Sequence, residues 1–201
     1  MAARAHRRTL KEEELLVKTT HAVLGAAIMV CASAALAAAQ QTAPAIQPTA
    51  NPLVDTARAA YGTLKTNLIK SAEKMPDEAY AFSPTPEVRT FGQLIGHVAN
   101  AQYSTCAAAA GEKNPSTVNI EKTMTAKADL VKALTDAVAF CDSVYAKIDD
   151  KKGLELVTLR TSSQPRVAVL FYNNSHSNEH YGNLVTYMRI KGIVPPSSEP
   201  R

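Results

Sequence analysis

PRVAVLFYNNSHSNEHYGNLVTYMRIKG, residues 165–192, is the stretch on which the fold turns. It reads as one long helix from about Pro165 to Lys191, closed by Gly192 and kept from continuing by Pro195 and Pro196. Inside it His176 and His180 are four residues apart. A helix projects both imidazoles from one face about a turn apart, the spacing at which two rings reach a single metal ion. Such pairs also occur on solvated helix faces. What tips the balance is that residues 40–201 hold one other histidine, His97, set among apolar residues on the inner face of another helix. Three histidines with no strays make a three-ligand facial site with open positions the economical reading.

Working outward, three more helices precede this one. Asn51-Pro52 is a helix start, Asn as a cap for free N–H groups and Pro at the first helical position. Leu53, Ala57, Ala60, Leu64, Leu68 and Ala72 then recur at helical spacing, so the first helix runs from Pro52 to about Lys74. The segment MPDEAYAFSPTPEVR has three prolines and should cross the end of a bundle, anchored by Tyr80 and Phe82. Thr90 with Gln93 reads as a capping box for the second helix. Phe91, Leu94, Ile95, Val98 and Ala101 give its apolar face, and Gly111 stops it. A polar connection from Glu112 to Met124 is long for a hairpin and leaves room for the next helix to run in the same direction. Thr125 is the expected cap of that third helix, whose inner face carries Leu130, Leu134, Ala137, Val138, Cys141 and Tyr145 before a turn at Gly153. LVTLRTSSQPR reads as a short exposed stretch leading to the fourth helix. The fold class is all-α, a four-helix bundle.

The N-terminal part belongs to a different class of segment. Arg4, Arg7, Arg8, Lys11 and Lys18 precede an apolar run from Ala22 to Leu36 and the small residues Ala37 to Ala39, which is the grammar of an export signal. Residues 1–39 are therefore expected to be a signal peptide, cleaved after Ala37 or Ala39, 40–51 a flexible tether and 52–201 the folded domain, placed in the periplasm or secreted; the length of the charged leader leaves open a later translation start or a segment kept as an N-terminal anchor. The apolar run is shorter than a membrane-spanning helix needs, and nothing after it could span a bilayer, so no membrane association is expected after cleavage. Residues 1–39 hold five of the 22 Lys/Arg and three of the 18 Asp/Glu, so removing them lowers the formal charge from +4 to +2. So small an excess gives no support to nucleic-acid binding. Cys31 falls in the leader and is preceded by Val30, where a lipoprotein signal wants a small residue. Cys106 and Cys141 remain, and in an oxidising compartment they either pair or stay as two separately buried thiols. Counted from Thr90 and Thr125, the two stand equally deep, 16 residues in. They are level if the second and third helices are parallel and far apart if antiparallel, so a bond between them would report the topology.

Zinc-finger chemistry is excluded because the cysteines lack ligand spacing, and the metalloprotease motif HExxH is absent from His176-Ser177-Asn178-Glu179-His180. Glu179 points about 100° away from His180 and is not assigned as ligand or base. Tyr172, Asn173, Asn183 and Tyr187 share the histidine stripe, and Gln93 and Asn100 flank His97 at turn spacing. These six are the candidates for orienting a ring or contacting a substrate. The tyrosines are equally explained as core packing with a satisfied hydroxyl.

The stretches PEVRTFGQLIGHVANAQY and HSNEHYGNLVTYMRIKGIVPPSS resemble the metal-binding helices of DinB-like (YfiT-like) four-helix-bundle proteins, with a likeness that spans roughly residues 52 to 197. It rests on a histidine in the second helix combined with HxxxH in the fourth, and it implies His97, His176 and His180 as ligands of one divalent ion: zinc, nickel, iron or manganese. It also implies an up-down-down-up path with parallel second and third helices. Members of that family include thiol transferases and maleylpyruvate isomerases, and their usual setting is cytosolic, from which an export signal is a departure.

Three functions are open at this point. A metalloenzyme would use the ion to polarise a small-molecule substrate or activate water in hydrolysis or transfer, since no residue is left over as an independent nucleophile. A non-catalytic metal-binding or interaction module would have a site already filled or lacking a pocket. Structural histidines would bind no metal. Bundles commonly form homodimers, but no residue pattern marks an interface.

Overall fold

A computed structural model describes residues 49–200. The expected signal peptide and most of the expected tether lie outside these residues. Among the described residues no helix is long and apolar enough to cross a membrane.

Helix α1 spans Pro52–Lys74, α2 Phe91–Ala110, α3 Ile120–Thr123, α4 Lys127–Ala146, α5 Asp150–Gly153 and α6 Arg166–Ile190. A two-stranded antiparallel hairpin, β1 Leu156–Leu159 and β2 Ser162–Pro165, joins α5 to α6. It occupies the segment that reads as merely exposed, because its polar and apolar residues give no clean alternation. The hairpin turns at Arg160, whose φ of 56° is left-handed. The inner face of α1 is set by Val54, Ala57, Tyr61, Leu64, Leu68 and Ala72; Leu53 and Ala60 of the expected stripe point outward.

Two helix starts differ from expectation. Asn51 precedes α1 but its side chain does not cap it. The first-turn N–H groups of Leu53 and Val54 donate instead to the Asp150 carboxylate at 3.0 and 2.8 Å, and Asn51 Oδ1 accepts from Asp150 N at 3.0 Å. The two helix starts thus cap each other across the sequence. Thr125 does not cap α4; the N-cap is Ala126, with no side-chain bond. At α2 the Thr90–Gln93 capping box is present and Gly111, at φ 73°, closes the helix.

Contacts along the helices fix their directions. Gly92 lies against Leu130 near the starts of α2 and α4, and Cys106 is bonded to Cys141 deeper in both, so these helices are parallel. Arg58 reaches Tyr145 O and Tyr61 reaches Val138 O, making α1 antiparallel to α4. Arg166 bonds Ala109 O while Tyr187 bonds Arg89 O, making α6 antiparallel to α2. The path is up-down-down-up. The Cys106 and Cys141 Cα atoms are 5.3 Å apart, inside the normal range for a disulfide.

The core has two apolar clusters. One holds Leu68, Phe91, Ile95, Leu134 and Leu184, the other Val54, Tyr61, Cys106, Cys141 and Leu170. On α2, α4 and α6 a buried polar layer lies between them: Gln102 Nε2 donates to Ser177 Oγ, Asn173 Nδ2 to Gln102 Oε1, Thr105 Oγ1 to Asn173 Oδ1, and Tyr145 OH to Asn174 Oδ1. Leaving any of these groups unpaired would cost more than the bond contributes, so the layer fixes the axial register of α6 against α2. That register is what sets the histidines level.

Candidate metal centre

His97 stands two turns into α2 on the side facing α6, and His176 and His180 face it from successive turns of α6. Their Nε2 atoms converge: His176 Nε2 is 3.2 Å from both His97 Nε2 and His180 Nε2. One ring nitrogen from each of the three lies within 4.8 Å of the others. For an ion 2.0–2.1 Å from each donor, tetrahedral geometry separates the nitrogens by about 3.3 Å, so the spacing fits a single ion. The donors are also in the right protonation state. Burial, then the charges of His176 and His97, push the His180 imidazolium down to about 4. Burial and the charge of His97 lower His176 as well. Both are neutral at pH 7 and present lone pairs. His176 Nδ1 is buried with no partner among the described residues.

His97 is held from behind. Its Nδ1 lies 2.8 Å from Glu121 Oε2, and the other carboxylate oxygen accepts from Arg89 Nε at 2.7 Å. A carboxylate acceptor puts the proton on Nδ1 and leaves the Nε2 lone pair free for metal, as outer carboxylates do in many histidine sites. Burial pushes the Glu121 carboxyl up, but the hydrogen bonds and charges of Arg89 and His97 outweigh it and hold the group below the usual carboxylate range. Glu121 sits on α3, in the connection that reads as polar and featureless. It is carried close to α2 because residue 96 is Gly: a Cβ there would lie 2.7 Å from Glu121 Cα.

The six flanking residues divide. Asn183 Nδ2 lies 3.4 Å from His180 Nδ1. The Tyr172 ring is 6.0 Å from that of His176, and its hydroxyl accepts from Arg160. Tyr187 borders the adjoining cleft and donates to Arg89 O. Gln93 also borders the cleft, with its amide oxygen occupied by Thr90 N. Asn100 does not touch a ring; it accepts from Ile120 N and donates to Asn119, bracing α3 and so Glu121. Asn173 is a correction: it is buried in the polar layer, bonded to Gln102 and Thr105, because that position of α6 faces the bundle interior below the rings. Glu121 and Arg89 were not legible, since neither has helical spacing to a histidine. Of the three rings, that of His180 lines a cleft of about 560 Å³ that is also bounded by Arg89, Glu121, Glu179, Asn183 and Tyr187.

Residues 60–184 match the sequence profile of the DinB superfamily. Solved structures share the fold. A DinB-like protein from Bacillus cereus is 17% identical, with a TM-score of 0.62 over 71% of this chain and 95% of that one. The DinB-like protein YjoA from Bacillus subtilis is also 17% identical, with a TM-score of 0.58 over 75% and 99%. A mycothiol-dependent maleylpyruvate isomerase is 16% identical, with a TM-score of 0.55 over 65% of this chain but only 60% of the isomerase. No curated protein sequence matches the chain.

Proposed function

Because this chain belongs to the DinB superfamily, we propose that it is an exported metalloenzyme that holds one divalent ion on His97, His176 and His180 and carries out a hydrolytic or group-transfer reaction on a small molecule. The observation that carries the proposal is the convergence of three Nε2 atoms, one of whose rings, His180, lines an adjacent cleft. An ion bound there supplies Lewis acidity at its open positions. The chain's own residues do the rest. Burial keeps the donors of α6 neutral, Glu121 fixes the tautomer and orientation of His97, and the cleft admits a ligand from the His180 side. That opening favours catalysis over a carrier or interaction module, whose site would be closed. Zinc, nickel, iron and manganese all remain in the proposal, since imidazole donors do not by themselves select the ion. Export to the periplasm or outside is supported by the leader's charge and apolar pattern and by the Cys106–Cys141 bridge, which persists best in an oxidising compartment.

Elemental analysis of protein recovered from the extracytoplasmic fraction should find about one divalent ion per chain by the three-ligand logic. The metal-loaded protein should then turn over at least one class among esters, amides and electrophile–thiol pairs. Absence of metal would overturn the site, and inactivity of every metal form would overturn catalysis alone.

A further inference from the structure

Resting on the metal reading, we infer that Arg89 and Tyr187 are positioning residues for the metal centre, because a hydrogen-bonded chain from Tyr187 through Arg89 and Glu121 to His97 ties the ligand on α2 to the helix that carries the other two. Every link is short. Tyr187 OH donates to Arg89 O at 2.9 Å, Arg89 Nε donates to Glu121 Oε1 at 2.7 Å, and Glu121 Oε2 lies 2.8 Å from His97 Nδ1. Tyr187 stands about two turns beyond His180 on α6, and Arg89 immediately precedes Thr90, the cap of α2. The chain therefore begins and ends on the two ligand-bearing helices and passes through α3 between them.

Hydrogen bonds join α2 and α6 on both sides of the rings. On one side Gln102 Nε2 donates to Ser177 Oγ at 2.9 Å in the buried polar layer. On the other the connection runs through Arg89. A metal site works only when its ligands are held to within about 0.5 Å of the productive geometry, and one lock alone leaves the ring on α2 free to pivot. Without Arg89 the Glu121 carboxylate can turn about its own side chain, and His97 loses a fixed acceptor. Tyr187 acts one step earlier, holding the backbone from which the Arg89 side chain departs. Its ring is buried and meets Phe82 edge-on at 5.9 Å, so removing the hydroxyl leaves the packing in place.

Two other roles for Arg89 are weaker. Its side chain is 42% exposed, and an ion pair so placed contributes little to folding. Its charge is no help to a cation site, since a guanidinium nearby repels a divalent ion. Orientation of Glu121 is what remains.

Competition with a chromophoric chelator for zinc tests the assignment. Arg89→Met should lower zinc affinity about tenfold, in the range for groups that orient a ligand, whereas loss of the charge alone would tighten binding. Tyr187→Phe should shift the affinity in the same direction, and both variants should melt close to the wild type when free of metal. In cobalt-loaded protein the visible ligand-field bands should move in Arg89→Met and return in Arg89→Lys, which keeps a cationic donor for Glu121. Adding Arg89→Met to Glu121→Ala should cost no further affinity, because both break the same chain. Should Arg89→Met fail to fold, Tyr187→Phe carries the same expectation. Zinc affinity at or above the wild-type level in these variants, or a loss that adds in full to that of Glu121→Ala, overturns the inference and leaves the metal site standing. Failure of the wild-type chain to take up zinc overturns the metal reading itself.

Discussion

Glu121 Oε2 lies 2.8 Å from His97 Nδ1, joining the single-turn helix α3 to the ring on α2. Removing the carboxylate frees the imidazole to rotate and to change tautomer. Glu121→Ala should weaken metal binding by roughly 10- to 100-fold, the usual effect of losing such a partner, measured by competition with a chromophoric chelator. Glu121→Gln keeps an oxygen that can accept from Nδ1 and should retain most of the affinity. An unchanged constant in Glu121→Ala would detach the residue from the site.

Gly96 is where α3 meets α2. A methyl group there would approach Glu121 Cα at 2.7 Å and Glu121 N at 2.9 Å, both backbone atoms that cannot rotate away. Gly96→Ala should therefore lower stability by about 1–3 kcal/mol as an overpacking change and weaken metal binding together with it. Thermal melts with and without metal would separate the two effects; a melt and an affinity like those of the wild type would refute the close approach.

His176 is bracketed by the other two rings, so its loss leaves no shared centre. Zinc at a hundredfold excess over its dissociation constant should stabilise the wild-type fold by about 2.7 kcal/mol, and His176→Ala should abolish the zinc-induced rise in melting temperature. A rise that persists in the variant would place the ion elsewhere.

The metal-free protein should be acid-labile in a defined window. His180 titrates near 6.5 in an unfolded chain but at about 4 in the fold, chiefly through burial. Between those values the unfolded state binds more protons, so stability falls as pH drops from about 6.5 towards 4 and levels off below. His176 is shifted in the same direction and adds to the slope. Urea midpoints recorded across this range in the presence of chelator should show the decline, and His180→Gln should flatten it; a decline of equal size in the variant would assign it to other groups.

The Cys106–Cys141 bridge closes a loop of 35 residues. In the chain-entropy account that constraint is worth about 4 kcal/mol, so the double alanine variant should melt on the order of ten degrees lower. The bridge packs in the apolar cluster on the far side of the buried polar layer from the rings. Metal content should be unchanged, and its loss would show that the bridge also sets the site.

What could be read from the sequence was local or rare. The bounds of α1, α2 and α6 follow from periodicity, capping residues and terminating glycines, and three histidines without strays stand out in any chain. The depth count of Cys106 and Cys141 made the two level only if the helices are parallel, and it is the bond between them that shows the parallel pair. What stayed hidden depends on packing between distant segments. Glu121 is 24 residues from the ring it orients, and Asn51 finds its partner 99 residues away. Asn173 was misassigned because stripe membership on a helix does not tell which neighbour the stripe faces at each turn. The hairpin escaped because four-residue strands with mixed faces carry too little pattern to be seen.

The reciprocal arrangement at the starts of α1 and α5 has a bearing on when this protein can fold. The first-turn amides of Leu53 and Val54 have to wait for Asp150, and Asp150 in turn for Asn51. A nascent chain on the ribosome cannot finish its opening helix until about two thirds of the domain has emerged behind it, so an isolated N-terminal half is left with frayed ends.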